Sequence, residues 1–451
     1  MTVIIVVLVS VLILSLFMGV PVGISMGLTA LVCIFVFMDP SHISRFATVA
    51  FVQGTSMNQM VPPLFILMAA FLARGGIATD IYDLLSSALR RIKGGLGVAT
   101  VLACTVFAAL CGSSVATAAS MARISVGQMV ARGYKQSFAS GIVAAGGTLG
   151  IMIPPSLPFI LYCILTETSV AKMLIAGILP GLMLSGLFIL VILIRSALDP
   201  SLIGEGDAKA GEDEEIPKEL LEDGRPPEAD DVKPSLKKVA ATGIPAILLI
   251  FAVVGSMYSG IATPTESAGV GAIGAFVIIT IRGRLNGKVF GESVAEAART
   301  TCMLLLMMIM GLTLSYVISF LGISTRLSSF VIESGMSPWI VIVMLIVLWL
   351  ILGCLMDPGS MVILTIPFVF PALMDMGFDP IWVGIISTLT VEIGMITPPV
   401  GLNLFVIKGI CGIRMAPLIK GSVPFICVLL AALVILCIFP QIALFLPSRM
   451  G

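Results

Sequence analysis

GTLGIMIPPS, residues 147–156, and VEIGMITPPV, residues 391–400, each hold Gly-x-x-[Ile/Thr]-Pro-Pro inside a long apolar run, at Gly150 to Pro155 and at Gly394 to Pro399. A Pro-Pro pair breaks an α-helix, because neither ring nitrogen carries a hydrogen and each ring clashes with the preceding turn, while the glycine adds backbone freedom. In hydrocarbon such a break exposes polar backbone that must find a partner. Broken helices at matching positions in two halves point to a secondary transporter, in which freed carbonyls and half-helix ends bind ions and substrate.

The surrounding chain agrees. Apolar residues make up 58% of 451 positions, only 11% are charged and the mean hydropathy is +1.15, the composition of a polytopic membrane protein. A formal charge of zero carries no message about nucleic acid, and no basic patch interleaved with aromatics points to such a partner. Cysteines lie mostly in apolar runs (Cys33, Cys104, Cys163, Cys427, Cys437), no Cys-x-x-Cys occurs and His42 is the single histidine, which argues against zinc, haem and disulfide frameworks. The opening apolar run lacks a basic flank and a small-residue cleavage site, so it reads as a retained helix.

Windows long enough to cross about 30 Å of hydrocarbon fall near 2–19, 21–38, 47–74, 171–196, 240–258, 266–282, 298–321 and 422–446. Two regions fit simple spans poorly, from about Gly95 to Leu165 and from about Pro338 to Cys411. A re-entrant hairpin followed by a broken helix describes both. The one long polar stretch, from Asp199 to Lys238, is acidic and proline-containing with little apolar periodicity, which predicts a solvated linker. It divides the chain into a first repeat over 1–198, a linker over 199–238 and a second repeat over 239–451.

Basic residues near span ends set orientation. With the linker cytoplasmic, Arg74, Arg90, Arg91, Lys93, Arg123, Arg132, Lys135, Arg282, Arg284, Lys288, Arg414 and Lys420 face inward, and Arg45, Lys172, Arg326 and Arg449 outward. The first hairpin then opens inward, the second outward, and the halves form an inverted repeat. The fold expected is an all-α polytopic inverted-repeat transporter.

The first hairpin tip is CGSSVATAASM, 111–121, where small residues let two arms approach closely and Ser113, Ser114, Thr117 and Ser120 supply hydroxyl oxygens. Facing the first break, they are a candidate oxygen cage for a monovalent cation; the competing account is tight helix packing alone. The second hairpin carries GCLMDPGSMVILTIPFVFP, 353–371, facing the second break. Asp357 stands out, since a carboxylate at membrane depth is costly without an ion, water or basic partner. Two roles compete for it: cation ligand, or helix cap through Asp-Pro-Gly-Ser turn chemistry. Glu392 is a weaker case, placed to stabilise the second break, and Glu266 in ATPTES is placed to cap the helix that follows.

GSSVATAASM, GTLGIMIPPSLPFILY, GIATPTESAGVGAIGA (260–275), LMDPGSMVILTIP and GMITPPVGLNLFV, in this order, resemble the signatures of the large membrane subunit of tripartite ATP-independent periplasmic (TRAP) transporters, the DctM type. The resemblance runs from the first helix to the last and spares the acidic linker. It implies an elevator transporter with a mobile domain of two hairpins and two broken helices, in the bacterial inner membrane and in contact with membrane lipid. It implies sodium-driven uptake of a small organic anion, usually a carboxylate, delivered by a periplasmic solute-binding protein, together with a small four-helix membrane subunit and no organic cofactor. No block of four further helices flanks the match, so both partners are expected to be separate chains. By matching motif, a first sodium site would use oxygens around Ser113, Ser114, Gly150 and Ile153. A second would use those around Gly353, Asp357, Gly394 and Thr397, with substrate near Ser114, Thr117, Pro155 and Ser360. Sodium would offset the substrate's negative charge and draw on the membrane potential, about 2.3 kcal/mol per charge per 100 mV.

Three other readings compete. A stand-alone sodium-coupled dicarboxylate carrier or ion antiporter shares the hairpin architecture and would need no binding protein. An intramembrane hydrolase on Ser113 or Ser114 lacks a base and a metal motif. An ATP-driven pump lacks G-x-x-x-x-G-K-[ST], since GRLNGK at 283–288 has the wrong spacing.

Overall fold

The computed structural model describes residues 2–89, 91–204, 236–323, 325–326, 329, 333 and 335–450, and among these all regular structure is helical. The chain opens with α1 (Thr2–Phe17) and α2 (Val22–Phe37), 16 residues each, or about 24 Å at 1.5 Å per residue. Gly19, at φ 78°, and Pro21 separate them. The window at 47–74 is not one helix. It divides into α3 (Ser44–Thr55), a 3-10 turn (Met57–Met60) and α4 (Val61–Arg74), because Pro62 and Pro63 open α4 and have no N–H to continue the preceding turn. α4 then bends by 61° into α5 (Ile77–Leu89), a helix that no apolar window marks because Asp80 and Asp83 interrupt it.

The first hairpin consists of α6 (Gly95–Cys111) and α7 (Ser114–Met121), the latter continuing through a π-helical turn (Ala122–Val126) into α8 (Gly127–Ala131). The first broken helix is α9 (Gln136–Met152) and α10 (Leu157–Thr166), followed by α11 (Val170–Ala176) and α12 (Ile178–Leu198). Beyond the acidic stretch come α13 (Leu236–Tyr258), α14 (Pro264–Ile281) and the 34-residue α15 (Gly287–Phe320). α15 starts well before the apolar window at 298–321, since its first turns are polar and carry Lys288, Glu292 and Glu296. α16 (Pro338–Leu355) and α17 (Pro358–Asp375) make the second hairpin, α18 (Pro380–Met395) and α19 (Leu402–Cys411) the second broken helix, and α20 (Met415–Ile438) follows. α20 lies earlier than the 422–446 window because Pro440 follows its end. Among the described residues seven helices are long and apolar enough to cross a membrane, or eight if the bent α4–α5 pair is one span.

Two packed groups emerge, each using helices from both sides of the acidic stretch. In one, α4 packs on α14 and α15, α2 on α15 and α13 on α5. In the other, α9 packs on α6, α7 and α20, and α16 on α18. The expected linker is shorter at both ends than 199–238: a 3-10 turn at Pro200–Ile203 buries Leu202 and Ile203, the Leu202 carbonyl accepts the Lys135 N–H at 3.0 Å, and α13 has begun by Leu236. Residues 205–235 and Arg90 lie outside the described residues.

Charges sort to the two ends of α15. At its start Arg74 pairs with Glu292 and with Glu296 (2.8 Å), while Asp80 binds Arg282 and Arg284 (2.8 Å to the latter). Toward its other end, about 36 Å from Glu292 at helical rise, Arg45 lies 4.4 Å above the Tyr316 ring and His42 Nδ1 is 2.8 Å from the Tyr316 hydroxyl. Arg74, Arg282 and Arg284 thus share one end and Arg45 the other, which is the grouping the Lys and Arg distribution requires. Glu266 completes a capping box with Thr263 at the start of α14, as its position in ATPTES leads one to expect.

α9 and α20 approach at Gly141 and Gly421. A Cβ on Gly421 would lie 1.8 Å from the Ser137 carbonyl oxygen, and one on Gly141 would lie 2.3 Å from that of Gly421. Gly421→Ala is therefore expected to push the helices apart at a cost of about 1–3 kcal/mol. Thermal unfolding of the purified protein in detergent checks this, and an unchanged melting temperature would contradict it.

Candidate functional site

The first hairpin meets the first break through backbone. α6 stops at Gly112, in the left-handed region at φ 63°, and Ser113 caps α7 by accepting the Ala116 N–H at 3.4 Å. α9 stops at Met152, the peptide between Pro154 and Pro155 is cis, and Ser156 caps α10 by accepting the Phe159 N–H at 3.5 Å. The Leu157 N–H reaches the Gly112 carbonyl at 3.4 Å. Gly150 admits the tip, because a Cβ there would lie 2.5 Å from the Ser113 carbonyl oxygen.

The second hairpin and break repeat this arrangement. Asp357 caps α17, accepting the Ser360 N–H at 3.0 Å and the Ser360 hydroxyl at 2.5 Å. The Pro398–Pro399 peptide is cis, and the Gly401 N–H donates to the Cys354 carbonyl at 3.3 Å. A Cβ on Gly394 would lie 2.6 Å from the Gly353 carbonyl carbon. The halves also exchange partners: α10 packs on α17, and α19 packs on α7.

Individual residues fall as follows. Ser113 and Gly150 are together, with Ile153 directly after α9, its N–H on the Leu149 carbonyl at 3.2 Å. Gly353 and Gly394 are together, while the Thr397 hydroxyl donates to the Ile393 carbonyl at 2.5 Å. Asp357 occupies the capping geometry that Asp-Pro-Gly-Ser allows. Thr117 donates to the Ser113 carbonyl at 2.8 Å, which binds the tip to its own helix, and the Pro155 carbonyl faces Gly112. Ser360 stays at the second tip, its hydroxyl on Asp357 Oδ1 at 2.5 Å with the Met307 sulfur of α15 3.5 Å away.

Ser114 joins the two halves. Its Cα lies 2.8 Å from where a Cβ on Gly150 would stand, yet its hydroxyl donates to Glu392 Oε2 of α18 at 3.0 Å, while Asn403 Nδ2 of α19 donates to Ser114 Oγ at 2.7 Å. Glu392 therefore does not brace the backbone of its own break; it binds the hairpin of the other half. All three side chains are buried. Asn403 lies in the motif GMITPPVGLNLFV but carries no assigned role there, although an Asn beside a helix break is a polar group that burial must pair.

A cavity of about 770 Å³ lies between α7 of the first hairpin and α4, α5 and α15. Ser113, Ser120 and Arg123 form one wall, and Arg74, Thr79 and Glu296 stand on the other. Arg123 lies in the π-helical turn, a local widening that often marks functional positions. Its guanidinium makes no hydrogen bond or ion pair among the described residues. In sequence it reads only as an orientation signal.

The family description "Tripartite ATP-independent periplasmic transporter, DctM component" matches residues 9–442. The chain belongs to this family. It is 35% identical to the C4-dicarboxylate TRAP transporter large permease protein DctM of Pseudomonas aeruginosa over 95% of this chain and 94% of that one. It is 30% identical to the ectoine/5-hydroxyectoine TRAP transporter large permease protein of Ruegeria pomeroyi, over 85% and 84%. Its fold is shared with the crystal structure of the Alcanivorax borkumensis YdaH transporter, at TM-score 0.59 and 14% identity, over 89% of this chain and 88% of that one. As a DctM-type permease subunit the chain is a multi-pass membrane protein and not an enzyme, which removes the hydrolase reading of Ser113 and Ser114.

The glycines at the two breaks are expected to be intolerant. Gly150→Ala and Gly394→Ala each place a methyl against backbone, at a cost of about 1–3 kcal/mol concentrated at a hairpin tip. Transport per folded molecule should fall further than abundance; equal uptake per molecule in well-folded variants would contradict the contact.

Proposed function

We propose that this chain is the large permease subunit of a sodium-coupled TRAP transporter that takes up a small organic anion, a carboxylate, across the bacterial inner membrane. It works with a small four-helix membrane subunit and a periplasmic solute-binding protein. The observation that carries this reading is the repeated hairpin-on-break contact, Ser113 against Gly150 and Gly353 against Gly394. Each contact gathers carbonyls and hydroxyls where a helix has been interrupted in apolar surroundings, the setting in which transporters bind ions. Sodium is assigned to oxygens around Ser113, Ser114, Gly150 and Ile153, and around Gly353, Asp357, Gly394 and Thr397. The substrate is assigned to the tips near Ser114, Thr117, Pro155 and Ser360.

The two helix groups fit an elevator. Hairpins and broken helices form the moving part, and α1 to α5 with α13 to α15 form the frame. In this reading the halves are an inverted repeat, with the Arg74 end cytoplasmic, so the 770 Å³ cavity opens inward. Arg123 gives its wall an uncompensated positive charge, which favours an anion. The relative named for C4-dicarboxylates points to the same class; the relative named for ectoine carries a different solute, so the anion's identity follows from uptake alone.

Uptake into proteoliposomes holding this chain and the small subunit, with a panel of radiolabelled carboxylates, tests the proposal. Dependence on both a sodium gradient and the binding protein supports it. Uptake without the binding protein would instead establish a stand-alone carrier. Asp357→Ala should raise the sodium concentration for half-maximal uptake by about tenfold, the scale of one charge-assisted contact, with abundance less affected. Unaltered sodium dependence in a well-expressed variant removes Asp357 from the ion site. Arg123→Gln should raise KM for the anion about three- to tenfold, and an unchanged KM removes Arg123 from the substrate's path.

A further inference from the structure

Four charges beside the cavity are unevenly shared. Glu292 and Glu296, four residues apart on α15, both bind Arg74: Glu292 through Nη1, and Glu296 at 3.1 Å from Nε and 2.8 Å from Nη2. Like charges at that spacing on a helix repel each other. Arg123, on the facing wall, is exposed and binds no carboxylate among the described residues. One guanidinium thus holds two carboxylates while the other holds none. No neighbouring charge corrects the mismatch, since Asp80 is taken up by Arg282 and Arg284, and Asp83, Arg132, Lys288 and Arg299 do not line the cavity.

The walls between these charges have complementary shapes. α4 presents Ala69, Ala70 and Ala73 to the cavity, and α7 presents Ala116, Ala119 and Ser120. Each set follows three- and four-residue spacing, so each forms one continuous helix face. Arg123 continues the α7 face, seven residues after Ala116, and Arg74 follows Ala73 at the end of α4. Faces of such small side chains let two helices pack backbone to backbone, and walls held apart forgo that contact.

We propose that Arg123 and Glu296 are partners in a second arrangement of this protein, in which α7 lies directly on α4 and the cavity between them is shut. Glu296 leaves Arg74 for Arg123, Arg74 keeps Glu292, and each guanidinium then holds one carboxylate. Glu296 is a positioning residue: it draws the first hairpin onto the frame through Arg123. In the transport reading this has a further consequence, which rests on that reading while the pair itself does not. Once the anion has left, Glu296 supplies the negative charge that Arg123 lacks, so the empty hairpin group passes the frame without a bare cation.

Oxidative cross-linking of the full-length protein in nanodiscs tests the pair. Ala73→Cys and Ser120→Cys place thiols on the two facing walls, with the native Cys111, Cys302 and Cys427 changed to serine, and peptide mass spectrometry counts the disulfide between positions 73 and 120. A disulfide forms only when the two Cα atoms come within about 7 Å, so it reports the shut arrangement. The cross-link is expected to form with the native charges, and about threefold more slowly in Arg123→Gln and in Glu296→Gln, the scale of one exposed ion pair. The exchange Arg123→Glu with Glu296→Arg should restore the rate. Arg74→Gln, which frees Glu296, should raise it. General loosening of the protein would instead move all the single variants in one direction. Absence of the cross-link, a rate indifferent to Arg123→Gln and Glu296→Gln, or an exchange that restores nothing overturns the proposal. Should Arg74→Gln fail to fold, the other variants decide. Uptake enters none of these readouts, so the pair and the transport reading fail separately.

Discussion

Polar backbone freed in the middle of an apolar chain must be paired, and the arrangement of the hairpins follows from that need. Each Pro-Pro segment interrupts the ladder of one helix and each hairpin tip interrupts another. Placed against each other, the interruptions supply partners: Leu157 N–H to the Gly112 carbonyl, Gly401 N–H to the Cys354 carbonyl. Such bonds require backbones closer than side chains permit, hence glycine at 150, 353 and 394. The same proximity leaves carbonyls and hydroxyls gathered at two points in apolar surroundings.

The halves do not simply stand side by side. After each break the chain crosses to the other half's hairpin, α10 to α17 and α19 to α7. The buried polar contact of Ser114 with Glu392 and Asn403 lies on one of these crossings. A polar contact sealed from water specifies one register, because sliding the elements would leave its members unpaired. Between this hairpin group and the other helices, α6 packs on α4 and α5 and α17 on α15, while a cavity lies beside α7.

Much of this was legible from residue order. The two breaks, the two hairpins around Gly112 and Asp357, the capping box at Thr263 and the membrane class all rest on local chemistry, namely missing N–H groups, small side chains and runs of apolar residues. Helix limits were less legible where a proline or an acidic residue falls inside an apolar window, as at Pro62, Asp80 and Pro440. Asp357 shows the limit at a single residue: its neighbours fit both a cap and a ligand, and the fold places its oxygens on Ser360.

Sequence alone determined that helices break at Pro154–Pro155 and Pro398–Pro399, since the loss of an N–H and the ring clash belong to the residues themselves. Tertiary structure decided which groups answer those breaks. The Ser114 backbone lies against Gly150 of its own half, whereas its hydroxyl bonds Glu392 and Asn403 nearly 300 positions away. No local pattern encodes that choice. Burial of each polar atom depends on which helices close around it, and that is fixed only when both halves pack.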